Sequence, residues 1–179
     1  METTCEKPML QRFDPVRLVR HIRKNHALEH ATIHVLTKKF PGNSFGGYSI
    51  HNGYWIFGEC DIQSVDDAAE IAHGRLLNGE KNLAVHPNCG TNLAAAGLLC
   101  AAGSLIATAG AENDKDRLDR FSGLALAGIL GTYFGKPLGM KVQKHLTTDP
   151  DVSDVAIMGV HCTSMNDNQT AFFIETSLI

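Results

Sequence analysis

LAAAGLLCAAGSLIATAGA, residues 93–111, contains no charged side chain. A bilayer hydrocarbon core of about 30 Å takes about 20 residues of helix, so the run predicts a membrane span. A second apolar run follows at residues 121–140, FSGLALAGILGTYFGKPLGM. Lys136 and Pro137 cut its apolar part to about fifteen residues, which suits a span when the lysine amine snorkels to the interface. Between the runs lies AENDKDRLDR, residues 111–120, dense in charge. The pair therefore predicts a helical hairpin in contact with membrane lipid, both of its flanks on one side. Arg17, Arg20, Arg23 and Lys24 precede the first run and Lys136, Lys141 and Lys144 close the second, which puts the N- and C-terminal segments on the cytoplasmic side. Gly131, Gly135 and Gly139, four apart, form a small-residue ridge of the kind that docks partner helices in lipid. The competing reading buries both helices in a soluble core, and a mean hydropathy of -0.08 agrees with it.

On either side of the hairpin the pattern is α+β: a small domain of helices and antiparallel strands, split by the insertion into residues 1–91 and 146–179, with the hairpin at 92–145. Asp14-Pro15 opens a helix, and apolar positions from Val16 to Leu36 carry it to about Phe40, where Pro41-Gly42 stops it. Residues 48–51 and 54–57 are β-rich and flank Asn52-Gly53, a hairpin signature. Ser64 with Asp67 three positions on predicts the cap of a second helix, which Asn78-Gly79 ends. Residues 83–85 read as a short strand, and residues 154–161 and 171–175 as a final strand pair.

With 179 residues, 44% hydrophobic and 20% charged, the chain has the composition of one packed domain rather than of a disordered or repetitive one. A net charge of -3 removes the basic field that sequence-independent nucleic-acid binding needs. Cys5, Cys60, Cys89, Cys100 and Cys162 are odd in number and widely spaced, so they predict free thiols rather than a disulfide framework. Residues 1–9 lack the apolar run of a secretory signal.

The nine histidines are the chemical signal. His26-Ala-Leu-Glu29-His30 lies inside the first predicted helix. Residues four apart stack on one helix face, so His26 and His30 present two imidazoles to one ion, with Glu29 beside them to act on a metal-held water. This is HxxEH, the inverse of the HExxH zinc motif. His34 extends the row, but about 12 Å of helix separates it from His26, so one ion takes His26/His30 or His30/His34. The segment 83–92, LAVHPNCGTN, brings His86 and Cys89 into a turn at a spacing where nitrogen and thiolate can meet one metal. Its plainer reading is a helix start, with Thr91 or Asn92 as cap and Asn88 in an Asx turn. Glu70, Glu80 and Glu175 all remain open as a downstream carboxylate ligand.

HALEHATIHVL at 26–36, GEKNLAVHPNCGTNL at 79–93 and TTDPDVSD at 147–154 together resemble the signature segments of a bacterial family catalogued as a domain of unknown function, whose members carry two apolar helices between the second and third segments. That resemblance implies a membrane protein and no particular activity. His26, Glu29 and His30 alone resemble the inverted-motif zinc peptidases, and the chain departs from them in having no assignable downstream glutamate.

Two function classes follow. One is a membrane-anchored zinc hydrolase of peptidase type, in which His26, His30 and one of His86 or Cys89 hold the ion and Glu29 is the general base. The other is a membrane-complex subunit or assembly factor that uses the histidines for a structural metal or a tetrapyrrole and the glycine ridge for partner helices. A third reading gives the histidines to the fold alone.

Overall fold

The computed structural model describes residues 14–166 and 169–179. The polar N-terminal stretch, with Cys5, lies outside the described residues. Helix α1 spans Pro15–Lys39. The Asp14 carboxylate starts it by accepting the N–H groups of Val16 (3.0 Å) and Arg17 (3.2 Å), two of the donors a helix start leaves unpaired. Past its end Gly42 takes a φ of +102°, open to glycine at little cost. Strands β1 (Gly46–Ile50) and β2 (Gly53–Phe57) follow, then α2 (Ile62–Leu77) and a 3-10 turn at Lys81–Ala84. Helices α3 (Gly90–Thr108), α4 (Asp114–Asp119) and α5 (Phe121–Val142) come next. A wide turn at Gln143–Thr147 leads to β3 (Val155–Asn166) and β4 (Gln169–Leu178).

The strands form one antiparallel sheet in the order β1-β2-β4-β3. Helices α1 and α2 cover one of its faces, with Leu28, Leu36, Val65, Ala69 and Ala72 packed on Tyr54, Ile56, Phe172 and Ile174. Tyr54 is fully buried and satisfies its hydroxyl on Thr32 Oγ1 at 3.0 Å. The fold is α+β.

Three local expectations are corrected. Helix α2 is capped by Asp61 rather than Ser64: the Asp61 carboxylate accepts the Ser64 N–H at 2.8 Å and the Ser64 hydroxyl at 2.6 Å. These bonds hold the Asp61 carboxyl below its usual range. The charged Asp61 carboxylate takes up both the N–H and the hydroxyl of Ser64, so the serine that would have capped the helix is itself bound by the cap. Residues 83–85 make no strand. Their carbonyls are spent on histidines: Ala84 O accepts from His30 Nδ1 at 2.8 Å and Val85 O from His34 Nε2 at 3.1 Å. The cap of α3 is Cys89 rather than Thr91 or Asn92, its sulfur facing the Thr91 N–H at 3.4 Å.

Helices α3 and α5 pack on each other as a hairpin. The ridge of Gly131, Gly135 and Gly139 is buried. A Cβ on these residues would strike Cys100, Ala96 and Asn92 respectively. The ridge expected to receive partner helices is thus filled by α3 of the same chain. The outer faces are bare: Leu93 and Ile106 are each 78% exposed and Tyr133 74%. Only 11% of the apolar window in α3 is buried, so α3 is not the core helix of the α+β body. Among the described residues α3 is long and apolar enough to cross a membrane, about 28 Å at 1.5 Å per residue.

Candidate metal centre

His26, His30 and Cys89 converge where α1 meets the start of α3. Their nearest ligand atoms all lie within 4.8 Å of one another, with Cys89 Sγ 3.4 Å from His26 Nε2. The two rings sit one turn apart on α1, tilted to each other by 59° with centroids 4.3 Å apart. Each is aimed by the nitrogen it does not offer: His26 Nδ1 bonds to Thr147 O at 3.0 Å, and His30 Nδ1 to Ala84 O at 2.8 Å. A carbonyl only accepts, so both Nδ1 atoms carry the proton and both Nε2 lone pairs face the trio. Metal-binding histidines are held in this way, with the distal N–H tied to a carbonyl. His30 is 1% exposed, and its Nε2 has no hydrogen-bond partner. Leaving such an atom unpaired costs about 1–3 kcal/mol, which a ligand would recover.

Cys89 reaches the trio because it caps α3. Burial opposes its ionisation; the His30 ring, when Nε2 also carries a proton and donates to the sulfur, and the Thr91 hydroxyl and N–H bring the thiol below its usual range. The positive end of the α3 dipole acts in the same sense. A tetrahedral zinc with bonds of 2.0–2.3 Å separates its ligands by roughly 3.3–3.8 Å, so the trio closes on an ion with shifts of about 1 Å or less.

His86 stands beside the trio and outside it. Its ring lies 5.8 Å from that of His30 and 5.0 Å from that of His34, and its Nδ1 accepts the Asn88 N–H at 3.3 Å. Burial, with His34 and His30 nearby, pushes its pKa down to about 4, so it is neutral at pH 7. His34 is spent on Val85 O. Of the three glutamates left open, Glu80 pairs with Arg75 (2.5 Å) and Glu175 with His161 (3.3 Å). Among the described residues none of them joins the trio; its third member is the Cys89 sulfur.

Glu29, 4% exposed, accepts the Ser49 hydroxyl at 2.5 Å. Burial raises its carboxyl above the usual range, against the Ser49 bond and the nearby His26. A cavity of about 380 Å³ opens over these groups, lined by His26, Glu29, His30, Cys89, Gly47 and Ser49 among others.

Two residues that belong to no sequence motif complete the frame. Ser49 aims Glu29 from β1. Gln143, fully buried, ties the exit of α5 to the HPNC loop: its Oε1 accepts the His86 N–H at 2.9 Å and its Nε2 donates to Asn92 Oδ1 at 2.6 Å. Asn92 in turn donates to Pro87 O at 2.8 Å. The loop that delivers Cys89 is therefore held from both helices of the hairpin.

The domain of unknown function DUF6391 matches residues 21–160, and the chain belongs to that family. An uncharacterised protein of Picosynechococcus sp. (strain ATCC 27264 / PCC 7002 / PR-6) is 36% identical over 136 residues, which cover 71% of this chain and 65% of that relative. The chain thus spans less than two thirds of the relative's length. No solved structure matches.

Proposed function

We propose that this member of the family is a membrane-anchored zinc hydrolase of peptidase type, with His26, His30 and Cys89 as ligands and Glu29 as general base. The observation that carries the reading is the buried, unpartnered Nε2 of His30, aimed with His26 Nε2 and Cys89 Sγ at one point. Three protein ligands leave a fourth position free for water or substrate, as catalytic zinc sites do; a structural site closes with four. Zinc there would polarise a water and the scissile carbonyl. Glu29 takes the proton of the water as its oxygen adds to the amide carbonyl, and returns it to the departing amine as the C–N bond breaks.

Metal analysis of the detergent-purified full chain tests this. About one zinc per chain is expected, and His30→Ala, which removes a buried ligand and leaves the helix intact, is expected to lose it. A chain without metal, or one with the visible absorption of a tetrapyrrole, overturns the zinc reading.

The proposed setting is the membrane surface, with α3 crossing and α5 alongside it, because the glycine contacts oblige α5 to follow α3 into whatever medium α3 enters. Cys89 caps α3, so the site sits at the mouth of the span. The basic flanks support a cytoplasmic side for the α+β body. Asn78 and Asn113 are both exposed. Single cysteines at these two positions are expected to label, above the native-cysteine signal, from opposite sides of sealed vesicles. Labelling of both from one side overturns the topology.

A further inference from the structure

The strand that walls the cavity is the edge of the sheet, and its register shows which backbone groups are free. Gly58 N–H reaches Thr170 O and Asn52 O receives Thr176 N–H, so the even-numbered residues of β2 direct their polar groups toward β4. The odd ones, Gly53, Trp55 and Phe57, therefore bond to β1, where their partners are Ile50, Tyr48 and Gly46. Gly47 and Ser49 are left with N–H and C=O directed out of the sheet. Among the described residues no other strand pairs with this edge. The same two residues line the cavity, beside Glu29. A Cβ on Gly47 would strike the Trp55 carbonyl oxygen on β2 and sit 3.0 Å from Glu29 Cγ, so this place takes only glycine, which brings the strand close to Glu29.

A bare edge is ordinarily blunted by charge, proline or cover. Gly46-Gly47-Tyr48-Ser49-Ile50 carries no charge and no proline. It lies against the cavity that His26, Glu29 and His30 line. From this juxtaposition we infer that the site takes an extended polypeptide segment, which adds to β1 as a fifth strand through Gly47 and Ser49 and is thereby drawn across the metal centre. Strand addition reads backbone and not sequence, so it suits a polypeptide substrate of loose side-chain specificity. The inference rests on the proposed hydrolase and names its substrate class.

The test separates the backbone of Ser49 from its hydroxyl. Ser49→Ala and Ser49→Pro both lose the hydroxyl's bond to the side chain at position 29, but only proline removes the outward N–H, and an edge strand tolerates it there. Both are made in the full chain carrying Glu29→Gln, so that bound polypeptide is not cleaved. The probe is fluorescein-labelled β-casein, an unfolded chain, with zinc content measured on the same samples. Binding at least tenfold weaker for Ser49→Pro than for Ser49→Ala, at equal zinc, is the expected result; equal binding overturns the inference. Amide hydrogen exchange of the Glu29→Gln chain with and without β-casein keeps the question decidable should the proline variant misfold. Slowed exchange at Gly47 and Ser49 supports strand addition, and unchanged exchange there overturns it. Casein binding by a chain that holds no zinc would uphold the edge site and overturn the hydrolase reading instead.

Discussion

Glu29→Gln is expected to leave a folded chain with full zinc content and to lower hydrolysis of an unfolded polypeptide by a factor on the order of 10² or more, the range seen when a general base is deleted. The geometry makes the substitution clean. Glutamine matches glutamate in size and helix propensity, and its Oε1 can still accept the Ser49 hydroxyl that Glu29 accepts at 2.5 Å. Glu29 is no member of the His26, His30 and Cys89 trio, so its exchange removes no ligand. Zinc content by metal analysis and hydrolysis rate on one preparation check both halves. Unchanged hydrolysis at full zinc excludes Glu29 as the base. Loss of metal together with loss of fold assigns Glu29 a structural role, as a membrane-complex subunit would require.

How much of this was legible in the sequence varies with the range of the interaction involved. The α1 start at Asp14-Pro15, the β1–β2 hairpin and the apolar hairpin are local patterns, and each stands within a few residues of where the pattern put it. Pairing His26 with His30 needed only helix periodicity. What aims the two rings was not readable, because Thr147 O and Ala84 O are backbone groups 121 and 54 residues away. That Cys89 rather than His86 joins the trio turned on a helix cap two residues earlier than Thr91, a shift that converts Cys89 from turn residue to cap. Gln143 carries no motif, and only the crossing of α5 with the HPNC loop reveals its double bond to His86 and Asn92. The glycine ridge was visible, but whether it met a partner or its own hairpin depends on how the two helices rotate about each other.

The same long-range logic gives the largest expected loss of stability, and it falls on the TTDPDVSD segment. Lys24 is 1% exposed on α1, two residues before His26. Its ammonium is held by the Asp154 carboxylate at 2.5 Å and by the Asp151 carbonyl, while Arg20 pairs with Asp154 from the solvent side. Asp149 N–H closes the same junction on Arg23 O at 3.0 Å. Removing one partner of a buried ion pair typically costs 3–5 kcal/mol, because the other charge stays buried without compensation. Asp154 keeps a quarter of its side chain in solvent (24%), which places Asp154→Asn at the lower end, about 3 kcal/mol. Burial alone would raise the Asp154 carboxyl, but Lys24 and Arg20 prevail and hold it below its usual range; Ser153 and Lys24 do the same for Asp151. A carboxyl whose folded pKa is depressed contributes stability that is complete above its unfolded pKa, about 3.9, and is lost as the pH falls through the folded value. The native chain should therefore lose this contribution below about pH 4, and Asp154→Asn should lack it at every pH. Denaturant unfolding of the two proteins in detergent at pH 7 and across the acid range measures the difference. A gap of about 3 kcal/mol at neutral pH that narrows on acidification is the expected result. A gap under about 0.5 kcal/mol at pH 7 would mean that the hydrogen bond to the Asp151 carbonyl suffices to hold the Lys24 ammonium, and that the segment anchors α1 through its backbone instead.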